Sequence, residues 1–128
     1  ENITIFGIKN EILQVLINLV NNAKDALKEK NITEKYIIIE LFEKENNIIV
    51  QIQDNAGGID GEIIDRIFEP YFTTKHKSSG TGIGLFLSQK IAVNHLNGEI
   101  VVKNKEIEIL GEKFIGACFE LRFLKNSD

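Results

Sequence analysis

Three glycines at alternate positions stand directly before an apolar helical pattern: Gly80, Gly82 and Gly84 lie within SSGTGIGLFLSQKIAVNHL. Glycine lets the backbone approach a ligand closely, and the unpaired N–H groups of a helix start attract anions. The stretch fits neither a Walker A loop, which needs Gly-Lys-Ser/Thr, nor the Rossmann G-x-G-x-x-G turn, which follows a strand. A phosphate-binding turn, a hinge and a tight turn without function all remain open.

The first half of the chain carries asparagine and acidic residues on one face of a helical pattern. At 100° per residue, Asn18, Asn22 and Asp25 fall with Glu11 and Glu29 inside an arc of roughly 60°. Asparagine is a mediocre helix former, so two asparagines one turn apart lower the stability of the helix and are not explained by helix formation. Amide oxygens are hard ligands that could complete the shell of a phosphate-bound Mg²⁺. A solvated helix face is the alternative interpretation.

The third group of residues that could support chemistry is DNAGGI, from Asp54 to Ile59, at the end of an apolar run. A carboxylate only accepts hydrogen bonds, so Asp54 could select an exocyclic amine such as that of adenine. Gly57 and Gly58 would let the backbone come close to a flat ligand. A plain β-turn that closes a strand is the competing interpretation.

These groups must be positioned by elements that the hydrophobic periodicity predicts. The pattern predicts an amphipathic helix from Asn10 to about Lys30 and a second helix from about Gly82 to His95. It predicts strands at Asn2–Phe6, Lys35–Glu43, Asn47–Asp54, Glu99–Lys103 and Lys113–Leu124. The last two strands are expected to be joined by a charged connection that contains Gly111. Residues 55–81 read as a long loop with a short helix near Gly61–Ile67, and such a loop is usually functional or mobile.

The order of strand, helix, two strands, loop, helix and two strands predicts an α/β (α+β) two-layer sandwich. Its helices would lie on one face of a mixed, mostly antiparallel sheet. With 128 residues, of which 43% are hydrophobic, residues 1–128 fit one domain. The formal net charge of -4 argues against nucleic-acid binding. The chain has one cysteine, Cys118, which is expected to be packed in the core or half-buried. It has no methionine, so we expect the chain to be a piece of a longer polypeptide.

Together, the order and spacing of these groups resemble the catalytic and ATP-binding domain of sensor histidine kinases, in the GHKL superfamily. NEILQVLINLVNNAKDAL looks like the family's N box, DNAGGI like the G1 box and IFEPYFTTK like the F box. GTGIGL looks like the G2 box and GACFEL like the last glycine motif. The resemblance covers nearly the whole chain, and it implies the Bergerat fold with ATP bound between the helices under a lid.

The resemblance also implies roles for single residues. Asn22 matches the Mg²⁺ ligand, Asn18 the supporting asparagine, Asp54 the adenine-reading aspartate, and Lys75 a lid lysine that reaches the phosphates; Asn18 and Lys75 are the expected catalytic residues. The implied ATP-binding residues are Asn18, Asn22, Asp25, Asp54, Gly58, Ile59, Phe72, Thr73, Thr74, Lys75, Gly80, Thr81, Gly82, Ile83, Gly84 and Leu85. Phe68 and Phe72 match aromatic positions that pack the lid, with a core role favoured for Phe68. Gly80 and Gly82 would let the lid move, and Gly84 would let the helix start pack closely.

The sequence departs from the family pattern at two positions. Ala117 stands where many relatives carry a threonine, which puts a water-mediated contact to adenine in doubt. Asn18 stands where the hydrolytic relatives place a glutamate general base. Without that carboxylate, transfer of the phosphoryl group to another acceptor is favoured over rapid hydrolysis.

The resemblance therefore implies a domain that binds ATP and Mg²⁺ and donates the γ-phosphate to a histidine on a separate dimerisation domain of the same kinase. A response-regulator receiver domain would be the downstream partner, and neither nucleic acid nor membrane would be contacted directly. A cytoplasmic location is expected, while the parent protein could be membrane-anchored. An anti-sigma-factor-type serine kinase, a GHKL ATPase coupled to conformational change and a nucleotide-binding module without chemistry are the alternatives.

Overall fold

The computed structural model describes residues 9–72 and 83–125. Its elements in chain order are helix α1 (Lys9–Glu29), strands β1 (Ile37–Lys44) and β2 (Asn47–Asp54), a 3-10 turn (Ile64–Arg66), helix α2 (Gly84–His95), and strands β3 (Gly98–Ile109) and β4 (Glu112–Leu124). The strand predicted at Asn2–Phe6 lies outside the described residues. No helix among the described residues has the length and apolar character needed to cross a membrane.

The four strands form one sheet in the order β1-β2-β4-β3, and each of the three pairings is antiparallel. Alternate residues of β2 and β4, such as Ile52 and Phe119, face the helices because successive side chains of a strand point to opposite faces. Helix α1 packs on the β1–β2 side and against α2, which covers β3 and β4. The predicted two-layer α/β sandwich is confirmed.

Helix α1 packs because its apolar residues recur at three and four. Val15, Leu19, Ala23 and Leu27 are buried along one stripe and meet the helix-facing residues of the sheet. The same spacing leaves Asn18 and Asn22 half-buried beside that stripe, and the Asn18 side chain bonds to α2. Burial of the apolar stripe therefore fixes where the asparagine face points.

The β3–β4 hairpin is longer than the sequence pattern suggested. The charged connection predicted between Lys103 and Lys113 is wrong, because both strands continue to a two-residue turn at Leu110 and Gly111. Those two residues have φ values of 53° and 82°, as the tight turns of twisted hairpins require. The extra length matters because it brings β3 alongside the loop that follows β2.

Candidate functional site

Asn18 joins the two helices through its side-chain amide. Its Nδ2 donates to the Ser88 hydroxyl at 3.0 Å and to the Gly84 carbonyl at 3.4 Å, both on α2. Its Oδ1 accepts from Gln14 Nε2 at 3.1 Å, one turn earlier on α1. Because an N–H must point at the Gly84 carbonyl, these contacts define which end of the amide faces α2 and which faces away. Position 18 thus requires a hydrogen-bond donor.

Asn22 lies one turn beyond Asn18 on the same half-buried face of α1. Among the described residues, no hydrogen bond involves its side chain, so its amide oxygen is available to an incoming group. The described residues contain no cluster of three His, Cys, Asp or Glu side chains suited to a metal. A Mg²⁺ that keeps several waters and takes phosphate oxygens needs only one or two protein oxygens, and an asparagine fits that donor set.

Asp54 is the last residue of β2 and is 3% exposed. Its Oδ1 accepts from the backbone N–H groups of Ala56, at 3.0 Å, and Ala117, at 3.2 Å. Burial raises the pKa of Asp54, and the two N–H donors and the charge of Lys30 offset only part of that rise. No hydrogen bond from the described residues reaches Oδ2. Asp54 therefore combines a fixed carboxylate with one oxygen that can accept from a ligand.

The glycine of the GACFEL motif explains how Asp54 fits against β4. A methyl group on Gly116 would lie 1.6 Å from the Asp54 carbonyl oxygen and 3.0 Å from its Oδ1. No side chain is possible at that separation, so β4 can approach the end of β2 only with glycine there. The last glycine motif thus supports the site through packing of the backbone.

The loop after Asp54 is tied down at each of its next residues. Buried Asn55 accepts from the Tyr36 backbone N–H at 2.9 Å and donates to the Glu34 carbonyl at 2.7 Å. Gly57, with φ of 94°, donates its N–H to the Ile115 carbonyl at 2.8 Å. These bonds make the loop a fixed wall, although its residues are outside any helix or strand.

Gly58 and Ile59 form the outer part of that wall. Gly58 has φ of 89°, and its carbonyl accepts from Lys30 Nζ at 3.0 Å. Ile59 is half-buried and packs against the core, while Asn104 of β3 bonds to both its backbone N–H and its carbonyl. Sequence reasoning missed Lys30 and Asn104, because neither belongs to a local motif.

Phe68 and Phe72, the aromatic residues expected near the lid, are half-buried and pack against the core. Phe68 packs edge-on against Phe119 with ring centroids 6.2 Å apart, as a core role predicts. Phe72 also packs against the core, and the Arg66 guanidinium lies 4.8 Å from its ring centroid. The short helix predicted near Gly61–Ile67 is reduced to the 3-10 turn. Part of the long loop therefore has a fixed path up to Phe72.

The remaining predicted site residues divide into two groups. Ile83 and Leu85 flank the start of α2 and are half-buried, Gly84 begins α2, and Asp25 is half-buried on α1. A side chain at Gly84 would meet no described atom within 4 Å, so no contact among the described residues requires glycine there. Six other predicted residues lie outside the described part of the chain: Thr73, Thr74, Lys75, Gly80, Thr81 and Gly82.

Comparison with protein families gives a match over residues 7–127 to the model described as "Histidine kinase-, DNA gyrase B-, and HSP90-like ATPase". The two-component sensor PprA of Pseudomonas aeruginosa is 33% identical in an alignment of 125 residues that covers 95% of this chain and 13% of that protein. Sporulation kinase A of Bacillus subtilis is 36% identical over 95 residues, 74% of this chain and 15% of that protein. The chain thus spans about a seventh of these relatives' lengths.

A solved structure gives the same result for the fold. The catalytic domain of histidine kinase ThkA, in a nucleotide-free form, superposes with a TM-score of 0.72 at 32% identity. The alignment covers 91% of this chain and 67% of that domain. The mycobacterial sensor histidine kinase MprB superposes with a TM-score of 0.71 at 16% identity, which shows a shared fold.

Proposed function

Because the chain belongs to the family of histidine kinase-, DNA gyrase B- and HSP90-like ATPases, as an ATP-binding domain of the histidine-kinase type, we propose that it binds Mg²⁺-ATP for phosphoryl transfer. The γ-phosphate would go to a histidine on a separate dimerisation domain of the same kinase. The observation that carries this proposal is Asp54, a buried carboxylate held by two backbone N–H groups through one oxygen. The other oxygen would accept a hydrogen bond from the exocyclic amine of adenine.

The α1 face would serve the phosphate end of the nucleotide. Asn22 would contribute its amide oxygen to Mg²⁺, which neutralises charge on the phosphates when bound. Asp25 would approach the nucleotide from the next turn of α1. The predicted contacts of Thr73, Thr74, Lys75 and the glycines Gly80 and Gly82 with the phosphates remain proposals from the resemblance.

The environment of Asn18 favours transfer over hydrolysis. A carboxylate at this position could serve as a general base for water, as in the hydrolytic relatives. Here the side chain must donate to the Gly84 carbonyl, and a carboxylate oxygen would be repelled by it. Asn18 would therefore fix the start of α2 without activating water. A neutral histidine is already nucleophilic, so catalysis would consist mainly of positioning and charge neutralisation.

The acceptor histidine is proposed to lie elsewhere in the polypeptide. His95 is exposed at the end of α2, outside the histidine-acidic helical motif that an acceptor domain would carry, and His76 lies outside the described residues. A response-regulator receiver domain would take the phosphoryl group next. Such a domain would act in the cytoplasm, where ATP is available, whether or not the parent protein is anchored.

Titration with a non-hydrolysable ATP analogue tests the nucleotide site. With Mg²⁺ present, Asn22→Ala and Asp54→Ala are expected to weaken binding at least about tenfold, since each removes a polar contact to the ligand. Asn21→Ala, at an exposed neighbouring position on α1, is the matched control and should bind like wild type. Wild-type affinity in both site variants would show that the assignment is wrong.

Transfer needs a second assay with the full-length kinase and ATP labelled at the γ-phosphate. Labelled protein that loses phosphate in acid and keeps it in alkali would indicate phosphohistidine. Acid-stable label would instead support the serine-kinase alternative, and label released only as inorganic phosphate would support the ATPase.

A further inference from the structure

Asn104 makes a two-point contact with the wall of the site. Its Oδ1 accepts from the Ile59 backbone N–H at 2.7 Å, and its Nδ2 donates to the Ile59 carbonyl at 2.8 Å. One side chain thus satisfies both polar groups of a loop residue, as a neighbouring strand would. Ile59 is held to β3 although it belongs to no strand.

The sheet register connects this contact to Asp54. Asn104 is the cross-strand partner of Ala117, whose backbone N–H donates to Asp54 Oδ1 at 3.2 Å. Both sides of the proposed base pocket are therefore attached to the same rung of the β3–β4 ladder, Asp54 through Ala117 and Ile59 through Asn104. The separation between the carboxylate and Ile59 depends on this pair.

The backbone at Gly58 is shaped to permit the contact. Its φ of 89° turns the loop back toward β3, and a methyl group there would lie 2.8 Å from Asn104 Oδ1. The Lys30 ammonium holds the Gly58 carbonyl from the side of α1. Asn104 is itself exposed, so the contact is accessible to substitution without loss of core packing.

We propose that Asn104 is a positioning residue that sets the distance between Ile59 and Asp54 and so makes the site selective for adenine. It acts through the Ile59 backbone and needs no contact with the nucleotide. The inference rests on the proposed function, because the pocket it shapes is the proposed adenine site. It adds to that function a residue outside all five recognised motifs.

The test compares non-hydrolysable analogues of ATP and of ITP, whose hypoxanthine carries a carbonyl in place of the adenine amine. Asn104→Ala is expected to weaken binding of the ATP analogue about tenfold, the effect of losing two modest hydrogen bonds that orient the wall. Binding of the ITP analogue should change less, so the ATP/ITP affinity ratio falls. Glu106→Ala, exposed two residues along the same strand, is the control and should leave both affinities unchanged.

Asn104→Asp provides a second variant, which keeps an acceptor for the Ile59 N–H but meets the Ile59 carbonyl with another oxygen. It should lower the ATP/ITP ratio in the same direction. An unchanged ATP/ITP affinity ratio in both variants overturns the inference. This includes the case in which the affinities for the ATP and ITP analogues fall by the same factor, as a merely structural role of Asn104 would cause. If wild type binds no ATP analogue, the proposed function fails and this inference with it.

Discussion

The buried carboxylate of Asp54, which we propose to contact adenine, is unfavourable for the folded state. Its burial penalises the charged form, and that cost outweighs the help from Ala56, Ala117 and Lys30. Since an amine of adenine needs an acceptor, only the charged or otherwise unprotonated oxygen is useful to the ligand. In the proposed site, Asp54 would therefore trade stability for selectivity, as functional residues often do.

Asp54→Asn should separate the two effects. The asparagine oxygen can still accept from Ala56 and Ala117, while its NH₂ group replaces the oxygen that faces the ligand. We expect the affinity for adenine nucleotides to fall at least about tenfold. At neutral pH the free energy of unfolding should equal or exceed that of wild type.

The pH dependence of stability shows whether the charge of Asp54 stabilises or destabilises the folded state. The folded-state pKa of Asp54 lies above its ordinary value of 3.8, so the folded state binds the proton more tightly than the unfolded state. The free energy of unfolding of wild type, relative to that of Asp54→Asn, should fall as the pH rises from the ordinary pKa of 3.8 through the raised pKa of the folded state. Above the raised pKa the difference should stay constant. Urea unfolding of both proteins at a series of pH values measures this difference, and parallel pH profiles would contradict the assignment.

Gly116 and Gly61 form a matched pair of glycines. Gly116→Ala places a methyl group 1.6 Å from the Asp54 carbonyl oxygen, whereas a methyl group at Gly61 meets no described atom within 4 Å. We expect Gly116→Ala to cost about 3 kcal/mol or more in the free energy of unfolding, and Gly61→Ala to change it by less than about 0.5 kcal/mol. Denaturant unfolding tests this, and equal stability of the two variants would rule out the close approach of β4 to β2.

At the scale of elements, the β3–β4 hairpin ends in a turn with an unusual residue. Leu110 is 90% exposed and has φ of 53°, a conformation that leucine adopts at a cost and asparagine adopts readily. It precedes Gly111, also with positive φ, so the turn has the backbone for which Asn-Gly is the preferred sequence. Leu110 makes no buried contact with the described residues that would oppose a substitution.

Leu110→Asn should therefore stabilise the domain by roughly 0.5–1 kcal/mol, because the turn would contain a residue suited to its backbone. Leu110→Lys is the control, since it removes the exposed apolar side chain without supplying a preference for positive φ. Thermal unfolding should rank asparagine above both lysine and wild type. If lysine and asparagine stabilise equally, the gain comes from removing apolar surface and not from the turn.

The helices and strands differ in how accurately their bounds could be predicted from the sequence. Helix α1 and strand β2 were predicted within one or two residues, because their apolar spacing follows a single period. The glutamates and lysines of KEIEILGEK suggested a connection, although Ile107 and Ile109 alternate with them as in a strand. The candidate site residues Asn18, Asn22 and Asp54 could be proposed from residue type and spacing. The contacts of Asn18 with Ser88, of Asp54 with Gly116 and of Ile59 with Asn104 could not be predicted, because they join residues from distant parts of the chain.

At the scale of the whole molecule, the proposed nucleotide site draws on both layers of the sandwich. Asn18 and Asn22 come from the helix layer. Asp54 comes from the end of the central strand β2, and Asn104 comes from the edge strand β3. A ligand that contacts residues from both layers binds the folded state and not the unfolded chain. Its binding free energy must then appear as stability of the entire domain.

Saturation with a Mg²⁺-bound, non-hydrolysable ATP analogue should raise the free energy of unfolding by about 2.7 kcal/mol at a concentration of one hundred times Kd. For a domain of 128 residues, this corresponds to a rise in Tm of roughly 10 °C. The rise should grow with the logarithm of ligand concentration and remain a single transition, because helix and sheet layers share one core. Asn22→Ala should show a smaller rise, and chelation of Mg²⁺ should reduce the rise in wild type toward that of the variant. A shift that is the same with and without Mg²⁺ would place the metal outside the binding mode, while a split into two transitions would mean that the nucleotide stabilises one layer alone.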